Sequence, residues 1–115
     1  MINNDAYGGF IISKKILNGV PVKYSFREES SIPQFNGWNL LSEQDDDEYV
    51  RNPSNSMVIN AESISEIAPV ILEIFDAPYG TDLCWLTKEG VHIGFYDLKK
   101  NREVTIEEIL RGNES

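Results

Sequence analysis

Five carboxylates within six positions, Glu43, Asp45, Asp46, Asp47 and Glu48, are the densest chemistry this chain offers. Acids at that density can hold a hard cation, steer a basic partner, or stay solvated. A calcium loop takes its ligands from alternating positions around a glycine turn. Consecutive acids diverge instead, and this run contains no glycine, so no metal is assigned. A solvated face and a docking surface remain as readings. Trp38 and Tyr49 bracket the run. Such aromatics are ordinarily core anchors, but large aromatics also carry much of the affinity at interfaces. The expected partner-binding surface is therefore Asp45, Asp46, Asp47, Glu48 and Tyr49, with Trp38 buried beneath it. On that reading, reversing Asp45 and Asp47 to lysine leaves folding intact and slows partner capture.

The other candidates are Cys84 and His92, the single cysteine and single histidine. One of each permits neither a disulfide nor a tetrahedral zinc site. Cys84, between Leu83 and Trp85, reads as a small strand hydrophobe. A hairpin can bring it near His92, and this supports an alternative: a small-molecule-binding or enzymatic accessory domain with a pocket near Trp38, Cys84 and His92. No glycine-rich phosphate loop is present, and no serine sits on a nucleophile-elbow motif. No catalytic residue and no cofactor are assigned.

The background is acidic. Ten Lys and Arg against nineteen Asp and Glu give a net charge of −9. A field of this sign repels nucleic acid and anionic lipid and draws in a basic protein. At 115 residues, 41% hydrophobic and 25% charged, the composition is that of one globular domain spanning residues 1–115. No apolar run approaches the ~20 residues of a membrane span. Met1 to Asp5 lacks a basic, then apolar, leader pattern, so the expected location is the cytoplasm. Monomer and sheet-mediated homodimer both stay open.

Several elements must position these residues. Phe10 to Ser13 is a β-prone run, and Asn18-Gly19 suits a tight turn. Beyond it Val20, Val22, Tyr24 and Phe26 alternate with polar neighbours, so the first 27 residues read as a hairpin or two tightly joined strands. Trp38 to Leu41 is a third strand, and the acids after it also suit the first turn of a short helix. Met57 to Ile59 is another short strand. Ile64, Ile67, Ala68, Ile71, Leu72 and Phe75 share one helical face, with Ser63 or Ser65 as cap. Pro69 interrupts that face, which predicts a helix starting near Pro69, preceded by a 3₁₀ turn over residues 62–66. Asp82 to Thr87 and Val91 to Tyr96 form a hairpin around Lys88-Glu89-Gly90, and Asp97 to Arg102 reads as a charged connector. Thr105 caps a last helix, Ile106 to Leu110, which ends at Arg111-Gly112. The fold class is α+β: a mostly antiparallel sheet of about five to six short strands with two helices packed on one face.

Taken together, Gly9 to Leu17, Arg27-Glu28-Glu29, Gly37-Trp38 with the acidic run ending in Tyr49, Asn52-Pro53, Pro69 and Pro78-Tyr79-Gly80-Thr81 resemble the immunity protein 33 family over most of residues 9–85. The resemblance implies a small bacterial antitoxin of a polymorphic toxin system, acting by stoichiometric protein–protein binding. It implies a cognate toxin domain as partner and no catalysis by this chain. An acidic protein of this size suits the basic cleft of a nuclease toxin, with charge raising the on-rate.

Overall fold

A computed structural model describes residues 7–111 of the chain. In order, its elements are β1 (Gly9–Ser13), α1 (Lys14–Leu17), β2 (Val22–Arg27), β3 (Phe35–Ser42), α2 (Asp47–Arg51), a 3₁₀ turn (Pro53–Asn55), β4 (Ser56–Ile59), α3 (Ala61–Ile67), α4 (Val70–Glu73), β5 (Asp82–Lys88), β6 (Val91–Asp97), β7 (Arg102–Val104) and α5 (Ile106–Arg111). The strands form one sheet in the order β4-β1-β3-β2-β5-β6-β7. All pairings are antiparallel except β1 with β3. The fold is thus α+β with a mostly antiparallel sheet, as expected, but with seven strands and five short helices among the described residues.

The first hairpin does not form. Ser13 Oγ accepts from the Lys15 backbone N–H at 3.2 Å and starts a helical turn instead. Gly19 (φ +101°) ends that turn: its N–H reaches the Ile16 carbonyl and the Val20 N–H reaches that of Lys15, a Schellman stop. The glycine predicted to reverse a hairpin thus terminates a helix, and β3 slots between β1 and β2. Within that strand Phe10 and Ile12 are fully buried on the core face, while Ile11 between them points to the other face and is half-buried.

The second sheet half follows local signals. β5 and β6 pair as predicted, with Lys88 opposite Val91. The connection is shorter than the three residues expected, because Lys88 belongs to β5: Glu89 (φ +53°) and Gly90 (φ +80°) make a two-residue turn with both φ positive, the conformation that matches strand twist. The charged connector hides β7: Asp97 Oδ1 accepts from the Lys99 and Lys100 N–H groups, Asn101 takes φ +58°, and Arg102–Val104 returns along β6. Thr105 Oγ1 accepts from Glu108 N–H and Glu108 Oε1 accepts from Thr105 N–H, a reciprocal capping box for α5. Gly112 lies outside the described residues.

Pro69 divides the helical stretch, yet the part before it is α-helix rather than 3₁₀. Asn60, not a serine, caps α3, its Oδ1 accepting from Ser63 N–H at 2.8 Å. Ala68 leaves helical geometry (φ −147°, ψ 67°) and Pro69 opens α4. That break rotates the apolar face. Ile67 ends up exposed, while Ile74, outside the predicted stripe, is fully buried.

One side of the sheet holds the core. Phe10, Ile12, Trp38, Leu40, Leu83, Trp85, Phe95 and Val104 pack there with Ala61, Ile64, Ile71 and Ile109 from the helices. Both buried indoles are paired, as burial favours: Trp85 Nε1 donates to Ser25 Oγ at 2.8 Å and Trp38 Nε1 to the Phe75 carbonyl at 3.0 Å. Arg27 clasps the segment after α4, donating to the carbonyls of Asn36, Phe75 and Ala77 while lying against the Tyr79 ring.

Candidate functional site: the acidic end of the sheet

The acidic run leaves the end of β3 and splits into two kinds of carboxylate. Asp45 turns inward. Its Oδ1 accepts from Ser13 Oγ at 3.0 Å and its Oδ2 from Ser42 N–H at 2.8 Å, tying the ends of the parallel pair β1 and β3. Asp46 is the N-cap of α2, accepting from Tyr49 N–H at 2.8 Å. Asp47 and Glu48 occupy the first turn, where negative charge is favoured by the macrodipole. Glu43, Asp46, Asp47 and Glu48 are exposed, and none of them forms an ion pair among the described residues.

Tyr49 fixes this segment from below. Lys15 Nζ sits 4.1 Å from the centre of its ring, a cation–π contact, and donates to the Gln44 carbonyl at 2.7 Å. Asn55 Nδ2 donates to the Tyr49 carbonyl at 2.9 Å, so α2 is held on one side by α1 and on the other by the turn leading into β4. Charge projection is thus built in: one acid anchors, one caps, and Asp47 and Glu48 face water from a braced helical turn.

Trp38 is fully buried, as expected, but not beneath these acids. It precedes Ser42 by four residues of extended chain, roughly 13 Å at strand rise, and packs with Arg27 and Phe75. The structure also does not gather Trp38, Cys84 and His92 into a pocket. Cys84 pairs with Tyr96 while Leu83 and Trp85 on either side of it face the core, so by strand alternation its thiol lies on the opposite sheet face. His92 sits on the core side, its ring 5.1 Å from Trp85 and 4.7 Å from Phe95. It lines an open groove of about 410 Å³ with Val70, Glu73, Phe95, Val104 and Ile106. Burial lowers its pKa below the ordinary 6.5, opposed by a hydrogen bond to the Gly94 backbone and the Glu73 charge. Nε2 is buried with no hydrogen-bond partner, the environment of a neutral ring.

Sequence reasoning missed what adjoins α2. Val50 is exposed on the helix, and Met57 and Val58 are exposed on β4, which is an edge of the sheet. The available signal was an absence: residues 52–61 carry no charge. The acids therefore neighbour an uncharged, partly apolar strip rather than standing alone.

The model of the Immunity protein Imm33 domain family matches residues 10–94, from β1 into β6, and takes in the acidic segment, α2 and β4. No curated protein and no solved structure matches the chain. With that match spanning most of its length, the chain belongs to the Imm33 immunity protein domain family.

Proposed function

We propose that this is a bacterial immunity protein that neutralises a cognate toxin domain by stoichiometric binding, covering the toxin's working surface rather than transforming a substrate. Family membership supports an immunity role and a protein partner such as a toxin. The observation that carries the mechanism is the braced α2 turn, which presents Asp46, Asp47 and Glu48 to solvent without cationic partners. Unpaired carboxylates steer a basic surface into encounter, raising association rates that fall steeply with salt. The partner surface is accordingly basic, and Tyr49 acts by holding the turn that displays the acids. We place the encounter in the cytoplasm, with the free protein a monomer.

The test is kinetic. Asp47→Lys with Glu48→Lys gives up the favourable macrodipole interaction at the start of α2 but keeps the fold, because both side chains are exposed and make no tertiary hydrogen bond. Against the toxin domain encoded beside this gene, with its active site inactivated, the double variant associates at least tenfold more slowly in 20 mM salt. The difference shrinks in 500 mM salt, where the Debye length is only a few ångströms. Equal association rates at both salt concentrations refute a docking role for the acidic turn.

A further inference from the structure

Among the described residues, the two edge strands of the sheet, β4 and β7, are built differently. β7 is three residues long and opens with Arg102-Glu103, and its arginine is paired with Glu108 at 2.7 Å. Shortness and charge are the usual defences of an edge against unwanted pairing. β4 has neither charge, proline nor bulge: Ser56–Ile59 pairs with Phe10–Ser13 in unbroken antiparallel register. The uncharged stretch 52–61 around it stands in a chain that is 25% charged. At its centre Met57 and Val58 are 45% and 47% exposed. Beside the strand lies an open recess of about 480 Å³, lined by Gly8, Gly9, Phe35, Val58 and Ile59 among others. Gly9 makes room for the Val58 side chain at its rim, since a Cβ there would fall 2.6 Å from Val58 Cγ1.

We propose that β4 is an acceptor edge: an extended segment of the toxin adds to it as a further strand, an apolar side chain filling the recess and basic residues meeting the acids of α2. The inference rests on the immunity reading above and names how the partner is held. Strand addition draws affinity from main-chain hydrogen bonds and specificity from alternate side chains. A second copy of this chain suits the edge less well. β4 spans only about 13 Å, so pairing two such strands covers far less than the ~1,200–2,000 Å² of a stable interface. It also brings together two chains of net charge −9. A basic partner contacting both β4 and α2 gains from both.

The experiment uses the full chain and the inactivated toxin domain encoded beside its gene. Met57→Lys with Val58→Lys places charge on the edge at exposed positions, and Val91→Lys, at the 64% exposed hairpin tip, is the control. The double variant raises Kd at least a hundredfold and the control leaves it unchanged. In the wild-type complex, amide hydrogen exchange of residues 56–59 slows, a readout independent of whether the variant folds. Wild-type binding with unaltered exchange at 56–59, or a double-variant Kd within threefold of wild type, overturns the acceptor edge and leaves the immunity reading standing. Failure of the wild-type protein to bind overturns both. A wild-type dimer in analytical ultracentrifugation that the double variant dissociates assigns the edge to self-pairing and also overturns the proposal.

Discussion

Replacing Asp45 with alanine separates the acids that hold the fold from those free to meet a partner. In the folded protein its two oxygens accept from Ser13 Oγ and Ser42 N–H. Hydrogen bonds to a charged group contribute about 1.5–3 kcal/mol each. Asp45 is partly exposed, so water takes up some of the loss and the expected cost for the pair is about 2–3 kcal/mol. At roughly 4 °C per kcal/mol for a chain of this size, Tm falls by about 8–12 °C. Asp47→Ala, by contrast, touches an exposed side chain and stays within about 0.5 kcal/mol of wild type. Urea denaturation followed by the fluorescence of Trp38 and Trp85, both buried, reads the difference as a lower midpoint at unchanged slope. The double reversal of Asp45 and Asp47 predicted from sequence to spare the fold is thus the wrong pair, and Asp47 with Glu48 is the right one. An Asp45→Ala midpoint indistinguishable from that of Asp47→Ala refutes the anchoring role and with it the division of the acidic run.

Gly37→Ala costs about 3 kcal/mol or more, combining strain at positive φ with overpacking, because its φ is +90° and a Cβ would lie 2.3 Å from the Glu28 carbonyl oxygen; a thermal melt checks it. Asn60→Ala costs about 1 kcal/mol through the lost cap of α3, whereas Ser63→Ala stays within about 0.5 kcal/mol, and equal effects at the two positions refute the cap assignment. His92 contributes a pH dependence whose sign follows from its lowered folded-state pKa. Below 6.5 the unfolded chain binds the proton before the folded one does. Stability from this ring is therefore full above 6.5, declines as pH falls, and levels off once the folded-state value is passed. His92→Phe, which keeps a ring against Trp85 and Phe95, removes that component, and a stability–pH curve unchanged by the substitution contradicts it.

Where the signal was local, the sequence was readable. Lys88-Glu89-Gly90 announced a hairpin and Thr105 announced a cap, each set by residues within three or four positions. What escaped was non-local or competitive. Nothing within residues 9–27 shows that β3 will insert between β1 and β2, because the partner of Ile12 is Leu40. Asn60 competed with Ser63 and Ser65 for one cap, and local composition does not decide among three good capping residues. β7 hid inside a charged connector because its pairing depends on an Asx turn at Asp97 rather than on alternation. At the candidate site the acidic run was visible at once, but its division was not. That Asp45 faces inward depends on Ser13, 32 residues away.

The central claim is that this chain acts by covering its partner, and titration tests it most directly. Adding the purified protein to the active toxin domain encoded beside its gene should lower toxin activity linearly to an end point at one immunity chain per toxin, with activity returning when the complex is dissociated. Complete inactivation at a small fraction of an equivalent, or a toxin left chemically altered after separation, contradicts it.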